Sequence, residues 1–267
     1  MPIFLEMIYR TDYHVHSNFS DGRSAPGDYI APAKAAGLSE IGYSEHLSLF
    51  KNNEDWNADP INISSYISHL ENLQNNTKNI KIKIGLEVDF FEGKEKEIFA
   101  YLNSLPLDYI IGSVHYLGEK TVDAGPEFYE EKSLDRLFEA YFDSVITASA
   151  SGLFDIIGHC DLIRIYGYKP SSDLTPLYRE LAKTMKNYNV AFEVNTNGRN
   201  RPLADFYPDR HFLHIFREEN VPVCVNSDAH MPSRVGQYFD EAYELLRYIG
   251  FTEMAIFDKR VRSMIPF

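Results

Sequence analysis

The feature that most constrains this chain is an alternation of short apolar runs with longer segments of helical periodicity. The apolar runs are rich in β-branched and aromatic residues, which is typical of strands. The seven predicted strands span residues 12–16, 40–45, 80–90, 109–115, 154–159, 190–196 and 221–227. The predicted helices span residues 26–36, 63–77, 94–105, 127–150, 175–188, 209–219 and 238–249. Strands that alternate with helices in this way predict a parallel sheet joined by helical crossovers, which is an α/β fold.

Histidine, aspartate or glutamate stands at or near the carboxyl end of six of the seven predicted strands. These residues are His14, His16, His46, Glu87, His115, His159, Asp228 and His230. In a parallel barrel the carboxyl ends of all strands meet at one face, where active sites are built. An open sheet would spread the same side chains along an edge. We therefore expect a closed barrel with a polar cluster at one mouth.

Imidazole and carboxylate groups together are the ligands of zinc, iron and manganese. The alternation in His14-x-His16 places both rings on one side of a strand, and Asp228-x-His230 repeats the pattern. The alternative is a set of buried histidines and capping carboxylates without metal. Each buried imidazole would then need its own hydrogen-bond partner. The clustering at strand ends favours a metal centre.

His14-x-His16 with the following Asp21-Gly22, and then SEH, GLEVDF, GSVH, GHCD and SDAH, resemble the polymerase-and-histidinol-phosphatase (PHP) family. The resemblance runs from about residue 12 to residue 236. It implies a distorted, TIM-like (β/α)7 barrel with two to three divalent ions of zinc, iron or manganese. Matched motif by motif, the first ion would be held by His14, His16, Glu87 and Asp228, the second by Glu87, His115 and His159, and the third by Asp21, His46 and His230.

The chain has 39 acidic and 26 basic residues and a net charge of −13. This charge argues against nucleic-acid binding, which normally requires a basic surface. Three divalent ions would nevertheless leave the pocket roughly +2 after three carboxylates and a hydroxide are counted, so that a small phosphate ester could bind. A metal-bridging hydroxide held by Glu87 and Asp228 would then attack the phosphorus atom.

Arginine is expected to assist the metals, because its planar guanidinium pairs with two phosphate oxygens at once. We rank Arg164 first, because it follows His159 by five residues and the family resemblance also implies an arginine here. Arg199 and Arg201 in NTNGRNRP come next, and Arg234 is a weaker candidate. For Asp161 three roles stay open: it receives a substrate ammonium group, helps to protonate the leaving alkoxide, or caps the segment that follows it.

The resemblance is strongest to free-standing L-histidinol phosphate phosphatases. It implies hydrolysis of L-histidinol phosphate to L-histidinol and phosphate in histidine biosynthesis. Two other activities remain open within the resemblance: a phosphodiesterase or exonuclease acting on nucleotides, and a protein-tyrosine phosphatase. A non-enzymatic scaffold stabilised by metal is a further alternative, although structural zinc sites are normally closed Cys/His sites.

The remaining expectations concern location and domain organisation. No run approaches the ~18 apolar residues of a membrane helix, and the segment MPIFLEMIYRTD lacks the basic start of a signal peptide. Only two cysteines are present, which argues against a disulfide framework. We expect a cytoplasmic protein with one domain over residues 1–267 and no membrane partner. The oligomeric state stays open.

Overall fold

Seven parallel strands form the centre of the molecule. The computed structural model describes residues 9–51, 56–58, 62–130 and 133–267. Its strands are β1 (Thr11–Asp12), β2 (Glu40–Leu47), β3 (Lys81–Asp89), β4 (Tyr109–Ser113), β5 (Tyr116–Leu117), β6 (Lys120–Thr121), β7 (Ile156–Ile157), β8 (Ala191–Asn195), β9 (Val223–Asn226), β10 (Glu253–Asp258) and β11 (Val261–Pro266). The main sheet has the order β1-β2-β3-β4-β7-β8-β9. A parallel bridge between Val15 and Ala229 brings the chain after β9 back to the first strand and nearly closes the barrel.

Seven helices accompany these strands in the part of the chain that the structure describes. They are α1 (Ile30–Ala35), α2 (Ile63–Asn76), α3 (Glu95–Leu102), α4 (Leu134–Ala150), α5 (Thr175–Asn187), α6 (Arg210–Glu218) and α7 (Phe239–Ile249). Helix α4 buries Leu137, Phe138, Tyr141 and Phe142, the face that its periodicity predicts. The barrel predicted from the polar strand ends, in the distorted (β/α)7 form that the resemblance implies, is therefore confirmed.

Several predicted boundaries differ from the structure. The helix predicted over residues 127–150 begins only at Leu134, after Ser133, whose side chain accepts a hydrogen bond from the Arg136 amide at 3.5 Å. Part of the missing stretch is a 3₁₀ turn at Pro126–Phe128, and residues 131–132 lie outside the described residues. The first strand is shorter than predicted because the amide of Tyr13 donates to the Asn226 side chain at 2.8 Å instead of to a neighbouring strand. The interpretation of residues 1–8 as lacking a signal peptide also lies outside the described residues.

A C-terminal hairpin that the sequence did not predict closes the amino end of the barrel. Strands β10 and β11 pair antiparallel. Ala255 and Phe257 of this hairpin pack inside the barrel with Tyr13, Tyr109 and Ile111. This packing leaves the carboxyl end as the open mouth. Among the described residues, no helix is both long and apolar enough to span a bilayer.

Candidate metal centre

All nine predicted metal ligands lie together at the carboxyl end of the barrel. They form four overlapping groups, and within each group the ligand atoms lie within 4.8 Å of one another. The groups are His16, Asp21, His46 and His230; His14, Glu87 and His159; His14, His16 and Asp228; and His46, Glu87 and His115. Residues far apart in sequence meet here because the carboxyl ends of parallel strands converge at one mouth.

Strand register and turn conformation position these side chains. Strands β2 and β3 pair so that His46 lies opposite Glu87. His14 and His16 follow β1 at alternate positions, and their ring centroids are 5.0 Å apart. After β9 the chain turns at Asp228, which has a φ of 49° in the left-handed region. That conformation is strained for a residue other than glycine, and such strain is concentrated at functional sites.

Glu87 lies at the middle of the centre and is buried. Its Oε2 atom is 2.8 Å from His46 Nδ1 and 3.1 Å from His14 Nε2. Its Oε1 atom is 3.0 Å from His159 Nε2 and 3.6 Å from His115 Nε2. Both carboxylate oxygens therefore face imidazole nitrogens, as a ligand that bridges two ions must.

A second part of the centre surrounds the loop that carries Asp21. Asp21 Oδ2 is 3.2 Å from His230 Nε2, and Asp21 Oδ1 is 3.7 Å from His46 Nε2. The ring of His16 stacks against that of His46 and against that of His230, with centroid distances of 4.1 and 4.3 Å. Asp228 Oδ1 lies 3.5 Å from His16 Nε2 and connects this part to the Glu87 side.

Opposite charges at short range set the pKa values of these groups. Burial favours the neutral form of Glu87, but His14, His46 and His115 outweigh it and hold the pKa of this carboxyl well below its usual range. The pKa of Asp228 is likewise lowered, against its burial, chiefly by His14. Burial and the neighbouring imidazoles lower the pKa of His16 to about 3. Ionised carboxylates and a neutral imidazole are the protonation states that bind metal ions.

Buried atoms without hydrogen-bond partners test whether the centre suits a metal. Among the described residues, His14 Nε2, His16 Nε2 and Glu87 Oε2 have none. Burial of a polar atom without a hydrogen-bond partner costs free energy unless an ion or another group interacts with that atom. Nitrogen and oxygen atoms that converge within a few ångströms are the donors that zinc, iron and manganese accept. The residues present fit a divalent transition metal.

The sequence reasoning missed two carboxylates that lie behind the histidines. Glu193 Oε2 is 2.9 Å from His14 Nδ1, and Asp89 Oδ1 is 2.7 Å from His115 Nδ1. Both carboxylates are buried. The available signal was the alternation within strands, since Asp89 follows Glu87 by two residues and so lies on the same face of β3.

A cavity of about 270 Å³ opens over the centre. Six of the predicted ligands line it: Asp21, His46, His115, His159, Asp228 and His230. Trp56, Asp123, Arg201 and Tyr207 line it as well. The cavity therefore places a guanidinium, a carboxylate and an indole ring beside the metal ligands.

Arg164, ranked first from the sequence, is not among the residues that line this cavity. Its Nη1 atom pairs with Asp161 Oδ2 at 2.7 Å, and its Nη2 atom pairs with Asp209 Oδ2 at 3.2 Å. The guanidinium is buried and faces a separate cavity formed partly by α5. Asp161 is therefore engaged in an ion pair rather than directed at the centre. The sequence could not predict this arrangement, because Asp209 is contributed by a distant loop.

Arg199 and Arg234 do not line the cavity over the metal ligands either. Arg199 Nη2 pairs with Glu241 at 2.8 Å, and its guanidinium lies over the ring of Phe206, outside the cavity. Arg234 Nη1 donates to the Gln237 side chain at 3.2 Å. Of the four arginines considered from the sequence, Arg201 alone lines the cavity.

Comparison with known proteins identifies the family. The sequence matches the PHP domain over residues 12–197. A probable histidinol-phosphatase of Deinococcus radiodurans is 33% identical over 246 residues, which cover 90% of this chain and 93% of the relative. A histidinol-phosphatase of Lactococcus lactis is 29% identical over 271 residues, with 96% and 98% of the two chains covered.

Solved structures agree with these sequence matches. The histidinol phosphate phosphatase of Lactococcus lactis, solved with zinc, L-histidinol and phosphate, superimposes with a TM-score of 0.84 at 27% identity and covers 95% of this chain and 98% of its own. A putative histidinol phosphatase of Listeria monocytogenes has the same fold, with a TM-score of 0.76 at 20% identity over 87% of this chain and 99% of its own. From the match over most of its length and from the shared barrel, this chain belongs to the PHP domain family.

Proposed function

We propose that the chain is a single PHP-type domain that hydrolyses L-histidinol phosphate to L-histidinol and inorganic phosphate, a step of histidine biosynthesis. The observation that carries this proposal is the cavity in which Arg201 lies beside the histidines and carboxylates of the centre. The relatives named histidinol-phosphatase and the Lactococcus structure with zinc, L-histidinol and phosphate support this substrate.

Two to three divalent ions of zinc, iron or manganese belong to this proposal. His14, His16, Glu87 and Asp228 would hold the first, Glu87, His115 and His159 the second, and Asp21, His46 and His230 the third. When bound, such ions lower the pKa of coordinated water toward neutrality and offset the charge of the phosphate. Ser113 donates a hydrogen bond of 2.6 Å to Glu87 and so fixes the orientation of that carboxylate. Glu87 and Asp228 stay ionised, and through the ions that they hold they would keep the hydroxide nucleophile in place.

Arg201 is the residue that we propose to bind the phosphate. It forms no ion pair with the described residues, so its guanidinium is available to pair with two phosphate oxygens. Asp123 and Trp56 line the same cavity and suit the other half of the substrate. A carboxylate can receive the ammonium group of L-histidinol, and an indole ring can pack against its imidazole.

A phosphate-release assay on metal-replete protein tests the proposal. L-histidinol phosphate, p-nitrophenyl phosphate, a phosphotyrosine peptide and single-stranded DNA would be compared as substrates. We expect kcat/KM for L-histidinol phosphate to exceed that of every other substrate by at least about 100-fold, or about 2.7 kcal/mol. Release of nucleotides from DNA, or faster turnover of the phosphotyrosine peptide, would instead support one of the alternative activities.

A further inference from the structure

Glu193 of strand β8 lies directly behind His14. It is fully buried, and its two oxygens are 3.1 and 2.9 Å from His14 Nδ1. The same carboxylate accepts hydrogen bonds from the backbone amide of His159 at 2.9 Å and from the Asn226 side chain at 2.7 Å. These donors satisfy the carboxylate and hold it in one orientation. A buried glutamate that is fixed in this way can in turn fix the orientation of the His14 ring.

Asp89 has the same relation to His115. Its Oδ1 atom is 2.7 Å from His115 Nδ1, and its side chain is almost fully buried. Asp89 follows Glu87 by two residues on β3, so the strand that supplies a central carboxylate also supplies the support for a neighbouring histidine. Glu193 and Asp89 are thus two independent examples of one arrangement.

A carboxylate at this distance determines which ring nitrogen carries the proton. An ionised carboxylate can only accept hydrogen bonds, so Nδ1 of His14 and of His115 must donate. With Nδ1 carrying a proton, Nε2 is the ring nitrogen left to bind an ion, and it faces Glu87 at 3.1 Å for His14 and at 3.6 Å for His115. Carboxylates that orient metal-binding histidines in this way also raise the basicity of the ligand.

Not every histidine of the centre has such support. Among the described residues, Nδ1 of His16 and Nδ1 of His159 have no hydrogen-bond partner. A carboxylate from outside the ligand groups therefore supports His14 and His115, which belong to different metal-ligand groups. His14 groups with His16 and Asp228 and also with Glu87 and His159, whereas His115 groups with His46 and Glu87.

We propose that Glu193 and Asp89 are positioning residues that fix the Nδ1–H form of His14 and His115, and that each sets the affinity of a different metal position. This inference rests on the metal binding of the proposed function but not on the identity of the phosphate ester. The carboxylate lies outside the ligand groups, and its effect reaches the metal through the imidazole.

The test compares Glu193→Gln and Asp89→Asn with wild-type protein loaded with zinc. Competition with a chelator of known affinity measures how tightly each ion is held, and elemental analysis counts the ions. Each variant should hold one ion about 10- to 100-fold more weakly than wild type, while the other ions keep their affinity. Glu40→Gln is the matched control, since Glu40 is also buried but lies at the opposite end of the barrel beside Tyr9 and Lys81. It should leave zinc affinity unchanged.

Ring nitrogen NMR of protein labelled with ¹⁵N-histidine provides the readout that a structural role alone would not change. In the zinc-loaded wild type, His14 and His115 should each show a protonated Nδ1 and a metal-bound Nε2. In Asp89→Asn the His115 signals should shift and those of His14 should not. Among the described residues, His115 is the single hydrogen-bond partner of the Asp89 side chain, so this variant decides the question even if Glu193→Gln does not fold.

Three outcomes are distinguishable. Zinc affinity within twofold of wild type in Asp89→Asn and in folded Glu193→Gln would overturn the inference and leave the proposed function intact. Equal weakening in the Glu40→Gln control would also overturn it, because the effect would then come from a general loss of stability. Weakened zinc binding in the two variants, together with a wild type that binds zinc but does not hydrolyse L-histidinol phosphate, would support the inference and contradict the proposed function.

Discussion

A buried glutamate lies at each end of the barrel, and the two are satisfied in different ways. Glu40 begins strand β2 at the amino end. Its carboxylate accepts hydrogen bonds from the hydroxyl groups of Tyr9, at 2.6 Å, and Tyr13, and it pairs with Lys81 at 3.1 Å. Donors from the protein itself therefore account for both of its oxygens.

Glu87 at the carboxyl end is surrounded by imidazole nitrogens, and His159 Nε2 lies within hydrogen-bond distance of Oε1 at 3.0 Å. Ser113 donates to Oε1, but Oε2 has no hydrogen-bond partner among the described residues, although His46 and His14 lie within 3.1 Å of it. The amino end satisfies its buried charge internally, whereas the carboxyl end presents charge and lone pairs that a bound ion can satisfy. In parallel barrels these two ends commonly serve stability and chemistry respectively.

The packing at the amino end also indicates that this end serves stability rather than chemistry. The Tyr109 hydroxyl donates to the backbone oxygens of Tyr13 at 2.6 Å and Tyr43 at 3.0 Å. Its ring lies so close to Gly42 and Gly85 that a Cβ atom at either position would collide with it. A well-packed interior of this kind tolerates little change in volume. Changes at the two ends should therefore have separable consequences.

Of the tests that distinguish the two ends, metal removal should have the largest effect on activity. Treatment with a strong chelator should lower kcat at least about 1000-fold, because the proposed metal ions would provide the charge stabilisation and the nucleophile. Trp56 is the single tryptophan of the chain, and its ring lies 5.0 Å from that of His46, so its fluorescence should change as well. Full activity with less than one ion per chain would contradict this expectation.

Exchange of each buried glutamate for glutamine tests the comparison directly. Glu87→Gln should lower kcat/KM by at least about 100-fold and reduce the metal content, because loss of a supporting carboxylate alone costs about 10- to 100-fold. Glu40→Gln should lower the free energy of unfolding by about 1–3 kcal/mol, through lost hydrogen bonds, and keep kcat/KM within about twofold. Chemical denaturation and steady-state kinetics provide the two measurements. A normal metal content in Glu87→Gln would contradict the proposed division between a stabilising amino end and a metal-binding carboxyl end.

Substitutions of the arginines should also have separable effects, on activity for Arg201 and on stability for Arg164. Arg201→Met should lower kcat/KM by about 30- to 1000-fold, or about 2–4 kcal/mol, without changing the metal content. Arg199→Met is the control, because that side chain pairs with Glu241 outside the cavity, and its kcat/KM should stay within about twofold of wild type. Arg164→Met should instead destabilise the fold by about 3–5 kcal/mol, since it leaves Asp161 buried without its counter-ion. Equal kinetics in Arg201→Met and Arg199→Met would remove Arg201 from the phosphate site.

The dependence of metal affinity on pH concerns histidines at the carboxyl end alone. Burial opposes the charged form of His115, but Asp89 and Glu87 outweigh it and raise the pKa to about 10. The pKa of His230 is raised to about 9, against its burial, by Asp21 and Asp228. A metal must displace these protons, so zinc affinity should rise from pH 6 to pH 8 by about tenfold per pH unit for each proton released. Calorimetric titration in buffers of different ionisation enthalpy counts the protons, and an affinity independent of pH would contradict this assignment.

The sequence alone predicted the barrel and the identity of the clustered residues. The alternation of strands and helices predicts a parallel sheet, and the carboxyl ends of such strands can meet at only one mouth. His14, His115 and Asp228 could therefore be placed together although they are far apart in the chain. Their local patterns, His-x-His and Asp-x-His, depend only on the two-residue period of extended backbone.

Only the tertiary structure decided which residues serve which purpose around that cluster. Arg164 follows His159 closely in sequence, yet Asp209 from a distant loop helps to hold its guanidinium away from the cavity, and Arg201 lies there instead. Ala255 and Phe257 of the C-terminal hairpin close the amino end, although their own segment gives no sign of what they contact. Backbone periodicity is local and can be read from the sequence, whereas ion-pair partners and packing neighbours depend on contacts between segments far apart in the chain.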